Sequence, residues 1–170
     1  EAVKSLGLVL DADLSMRKQV SSVCGTCIST LRRLHRLAPL VSVSTLRLAV
    51  QATVISRLDY GNALYAGILN QLLHKLQIVQ NDAARLIYRT PRSARASPLL
   101  QELHWLPICQ RVMFKVMCLV HRLAYGSLQG PLENCCTPYR PSRLLRSASA
   151  GRMATPRFCK STMGGRAFSS

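Results

Sequence analysis

Apolar residues recur along this chain at alternating steps of four and three, and that spacing is what most narrowly limits its fold. Val20, Cys24, Cys27, Leu31 and Leu34 lie on one stripe of a helix, as do Leu72, Leu76, Val79, Ala83 and Leu86 further on. Two more stripes run through Leu46, Val50, Val54 and Leu58 and through Ile108, Val112, Val116, Leu119 and Leu123. Pro39 separates the first two helices, and Ser42 or Ser44 is placed to cap the second. Asp59-Tyr60-Gly61-Asn62 breaks the second stripe, and Gly126 or Gly130 with Pro131 ends the last. Between the third and fourth stripes, 90–98 reads as a basic loop and 99–103 as a short helix stopped near Pro107.

The ends differ in texture. Residues 1–10 form a short apolar and β-branched run closed by Asp11-Ala12-Asp13, which predicts one strand. A strand without a partner leaves its backbone groups unpaired, so an orphan strand here points to a cut through a larger protein. From Cys135 the chain turns to Pro, Ser, Arg and Gly without period, and such a segment buries too little apolar surface to offset the entropy of ordering it. The expected architecture is mainly α: a bundle of about four helices over 14–134, preceded by one orphan β-strand in 1–13 and followed by a basic, poorly ordered tail over 135–170.

Charge bears on function. The chain carries 23 Lys and Arg against 7 Asp and Glu, a formal net charge of +16. That surplus sets up a field that attracts polyanions. The apolar stretch Val112 to Val120 is interrupted by Lys115 and is too short to cross a bilayer, so no membrane partner is expected. Nucleic acid is the remaining polyanion. On this reading Arg32, Arg33, Arg36, Lys75, Arg85, Arg89, Arg92 and Arg95 form the group that contacts phosphates.

Catalytic constellations are sparse. Asp11 and Asp13 are the one close carboxylate pair, and Asp in a turn before a helix is more often a cap than a metal ligand. Cys24 and Cys27 have the two-residue gap of a zinc half-site, but they also share one helix face, where they read as core thiols. The four His are single and separated. Trp105, the one Trp, sits at a helix junction and reads as a core plug, with base stacking as the alternative. No cofactor or metal is expected. Seven irregularly placed Cys make a disulfide framework improbable and fit an intracellular setting, nucleus or cytoplasm.

Five strings add a different kind of information: Leu6-Gly7-Leu8-Val9-Leu10-Asp11; SRLDYGNALYAG at 56–67; LQIVQNDAARL at 76–86; Leu103-His104-Trp105-Leu106-Pro107; and TPYRPSR at 137–143. In this order and spacing they resemble the C-terminal part of the reverse transcriptases of non-LTR retrotransposons (LINEs), closest to the CR1, L2 and jockey-like group, over nearly the whole chain. The resemblance implies that the Gly7 strand belongs to the palm–thumb hairpin and that the helices form the thumb, which holds the template–primer duplex. It also implies that the catalytic aspartates lie upstream. The chain is then expected to bind RNA or an RNA/DNA hybrid, to pair with the palm and fingers of the same polyprotein, and to have no enzymatic activity alone. A helical protein–protein interaction module and a functionless translated remnant of a retroelement are the alternatives.

Overall fold

A computed structural model describes residues 2–124 together with Tyr139, Arg143 and Ala154. The expected tail over 135–170 therefore lies, those three residues apart, outside the described residues. The chain falls into two compact units, Glu1–Met113 and Phe114–Ser170. The buried core belongs to the first.

The first unit opens with a hairpin, not the orphan strand expected from the sequence. Strand β1 (Ala2–Ser5) pairs antiparallel with β2 (Leu8–Asp11), with Ala2 opposite Asp11 and Ser5 opposite Leu8. Leu6 and Gly7 make the two-residue turn, both with positive φ (47° and 80°). That is the turn whose twist suits a two-residue hairpin. Gly7 adopts this conformation freely, whereas Leu6 is strained. The Tyr60 hydroxyl donates to the Leu6 carbonyl at 2.6 Å and holds the turn in place. The turn was hidden in the sequence because Leu6 opens the leucine-rich stretch that runs to Leu10.

Asp11 ends β2 and starts the first helix. Its buried carboxylate accepts from the Ser15 hydroxyl at 2.5 Å and from the Met16 N–H at 2.9 Å, and the Val9 N–H donates to Gln19 Oε1 at 2.9 Å. Helix α1 (Arg17–Leu37) buries Val20, Cys24, Cys27 and Leu31, as the stripe predicts. It gives way to a 3-10 turn, Ala38–Leu40, that contains Pro39. Ser42 caps α2 (Val43–Val50), accepting the Thr45 N–H at 3.1 Å.

Helix α2 continues through a π-helical stretch, Gln51–Ile55, into α3 (Ser56–Asp59). The reason lies in the spacing of Leu46, Val50, Val54 and Leu58, all buried. Strict four-residue steps drift by about 40° each around an α-helix of 3.6 residues per turn. A wider i→i+5 turn rotates less per residue and takes back part of that drift, keeping the stripe on the core.

After a 3-10 turn (Asn62–Tyr65), α4 (Asn70–Tyr88) buries Leu72, Leu76, Val79, Ala83 and Leu86. Arg89 closes it in the left-handed region (φ 53°), and the Thr90 N–H reaches back to the Arg85 carbonyl at 3.0 Å. Helix α5 (Ala96–Glu102) begins three residues earlier than the sequence predicts. Pro98 sits in its first turn, where a missing N–H costs nothing. Leu103 and Trp105 are buried behind it, so Trp105 is the core plug and is not open for base stacking. Ile108 and Val112 of α6 (Ile108–Ala124) complete the core, and Val116, Leu119 and Leu123 of that helix are half-buried. Among the described residues no helix is long and apolar enough to cross a membrane.

Candidate nucleic-acid interface

Helices α1 and α4 pack along their buried stripes, and beside that seam runs a groove of about 910 Å³. From α1 come Arg32, His35 and Arg36; from α4, Arg85 and Arg89; from the loop after α4, Arg92. The apolar lining comprises buried Leu31, Ala38 and Leu86 and, open to solvent, Pro39 and Pro91 with Ile28 and Ile78 at 39% and 42% exposure. The convergence follows from helical spacing: positions 28, 32 and 35–36 share one edge of α1, and 78, 82, 85 and 89 share one edge of α4.

Five of the eight arginines and lysines selected from the sequence line this groove: Arg32, Arg36, Arg85, Arg89 and Arg92. The other three do not. Arg33 is one residue, and so about 100° of helix, away from Arg32. Arg95 sits at the start of α5, and Lys75 lies about one turn before Ile78 on α4, near Cys24, whose thiol burial pushes up against the weaker opposing effect of that ammonium. The exposed His35, the carboxylate of Asp82 and the two isoleucines are groove residues that the charge pattern did not single out. Their signal was present only in the shared spacing.

The five arginines fall into two groups. Arg85 is 19% exposed and committed: Nη1 donates to Asp82 Oδ1 and Nε to the Ala94 carbonyl, both at 3.0 Å. Arg89 Nη2 donates to the carbonyls of Ala38 and Val41 at 2.6 and 2.8 Å, strapping the end of α4 to the α1–α2 connection. These two build the walls. Arg92, in contrast, is 90% exposed and approaches Asp82 Oδ2 only to 3.9 Å. Arg32 and Arg36 are exposed, with no hydrogen-bond or ion-pair partner among the described residues. Asp82 is the one acid among the described residues that line the groove.

The other candidate chemistry is used structurally. Partial desolvation raises the Asp11 pKa, but the hydrogen bonds from Ser15 and from the N–H groups of Met16 and Arg17 outweigh it and leave the carboxyl below its usual value. It serves the start of α1 as a cap, while Asp13 is exposed. Cys24 and Cys27 are core thiols. Burial, with Cys24 adding to it and Arg57 opposing, pushes Cys27 up to about 11, which disfavours the thiolate a metal needs. Among the described residues no three His, Cys, Asp or Glu converge as a metal site. No protein-family model matches the chain, and neither does any curated protein or solved structure.

Proposed function

We propose that this chain is a polynucleotide-binding helical module, gripping the phosphate backbone of RNA or an RNA/DNA hybrid through the α1/α4 groove, and that it carries no catalytic centre of its own. The observation that carries this reading is the set of solvent-facing guanidiniums, Arg32, Arg36 and Arg92, gathered around one groove with a single acid. Surface ion pairs such as that of Arg92 with Asp82 add little to stability, and Arg32 and Arg36, unpartnered among the described residues, add less, so their clustering calls for a ligand. The planar guanidinium fork takes phosphate oxygens bidentately, and a polynucleotide presents them in series. The sequence resemblance to LINE-type reverse transcriptases gives the grip a context: a thumb that holds template and primer while an upstream palm does the chemistry.

The test is binding of the full chain to a labelled RNA/DNA hybrid between about 50 and 200 mM salt. Affinity should fall linearly on a double-logarithmic plot. Binding that ignores salt, or no binding, rejects the proposal. A second reading, a helical docking module for another protein, draws support from Phe114 and Met117, which stand exposed on α6. Concentration-dependent self-association unaffected by nucleic acid would favour it.

A further inference from the structure

We infer that the α1/α4 groove seats an unpaired strand, with bases over Ile28 and Ile78 and phosphates along Arg32, Arg36 and Arg92; this rests on the proposal that the groove faces a polynucleotide. A duplex offers a protein its phosphates, sugars and polar base edges, because the base faces are stacked away. Two exposed isoleucines set between guanidiniums gain little cover from such a surface. An unpaired strand turns base faces outward, and these cover apolar side chains while guanidinium planes stack on neighbouring bases.

Asp82 fits the same occupant. A carboxylate in a groove built only for phosphates weakens it, but a carboxylate accepts the N–H groups of base edges. Its Oδ1 is held by Arg85 at 3.0 Å, whereas Oδ2 has only Arg92 at 3.9 Å, beyond hydrogen-bond reach. One oxygen is thus left for a base donor. The walls exist before the ligand arrives, since Arg85 and Arg89 are fixed by backbone carbonyls. An acidic amphipathic helix is a poorer match. It docks through several apolar anchors at i, i+3, i+4 and i+7, whereas the exposed apolar lining here, Ile28, Pro39, Ile78 and Pro91, shares the groove with five arginines.

The experiment compares three labelled ligands of equal length on the full chain by fluorescence anisotropy: an unpaired oligonucleotide, the same sequence in an RNA/DNA hybrid, and an abasic strand with the same phosphates. Charge alone ranks the hybrid first, because it carries two backbones. The inference predicts that the unpaired strand binds about tenfold tighter than the other two, an effect of the size that base contacts give. Replacing both isoleucines, Ile28→Ser with Ile78→Ser, should erase that preference, bringing the unpaired strand and the hybrid to within about twofold of each other. A hybrid that binds as well as the unpaired strand, an abasic strand that binds equally, or stronger capture of an acidic amphipathic peptide overturns the inference while leaving a salt-dependent hybrid affinity intact. Absence of affinity for all three polynucleotides overturns the proposed function as well.

Discussion

Helix α4 serves two neighbours in opposite ways. Toward the start of α6 its polar groups are matched within the chain: Gln77 Oε1 accepts the Ile108 N–H at 2.8 Å, its Nε2 donates to Gln80 and Asn81, and the fully buried Gln80 donates to the Leu106 carbonyl at 2.9 Å. Arg111 of α6 is likewise paired, gripping both carboxylate oxygens of Asp59 at 2.9 and 2.5 Å. Toward α1 the same helix borders a groove whose outer cations are Arg32 and Arg36, unpartnered among the described residues, and Arg92, 90% exposed and no nearer than 3.9 Å to Asp82. A buried polar group must find a partner or cost the fold. An exposed arginine carries no such obligation. Arg111 on the first side and Arg85 and Arg89 on the second are therefore explained by stability, and Arg32 and Arg36 are not.

That contrast can be broken from either side, and the largest effect should come from the matched one. Gln80→Ala leaves Leu106 without its donor and opens a cavity, so denaturant unfolding should show a loss of about 3 kcal/mol, with polynucleotide affinity of the folded protein unchanged. Arg89 joins the two regions, being a groove residue that also straps the backbone. Arg89→Ala should cost about 2 kcal/mol through its lost bonds to Ala38 and Val41, and Arg89→Gly about 1 kcal/mol, because glycine relieves the left-handed cap. Equal losses would show that the cap conformation is immaterial.

The smallest expected effect concerns the hairpin. The folded-state pKa of Asp11 is depressed, so its contribution is fully present above the unfolded carboxyl value, near 3.8, and is lost as pH falls through the lower folded value. Thermal unfolding of the Asp11→Asn variant should consequently show a weaker loss of stability below about pH 4 than the parent chain.

The helices were legible because periodicity is local: each stripe from Val20 to Val112 that the spacing defines is buried or half-buried as expected. What escaped was set by groups distant in sequence. Leu6 reads as strand, and only a hydroxyl 54 residues away holds it in a turn. Arg85 and Arg89 look like any basic helix end, yet Arg89 is fixed by carbonyls 51 and 48 residues back. The pairing of Asp59 with Arg111 spans 52 residues. For the groove, composition pointed to arginines as a class. Only the packing of α1 on α4 separated those that line it from Arg33, Lys75 and Arg95, and those held by the fold from those facing solvent.

The most direct measurement is the salt dependence of hybrid binding after the solvent-facing arginines are neutralised together, as Arg32→Gln, Arg36→Gln and Arg92→Gln. All three are exposed and only Arg92 approaches an acid, Asp82 at 3.9 Å, so these changes should leave unfolding free energy within about 0.5 kcal/mol per site. The slope of log affinity against log salt should flatten by about 2 to 3, as phosphate contacts are lost. A slope equal to that of the parent chain, in a variant that remains folded, would contradict the assignment of this groove to a polynucleotide backbone.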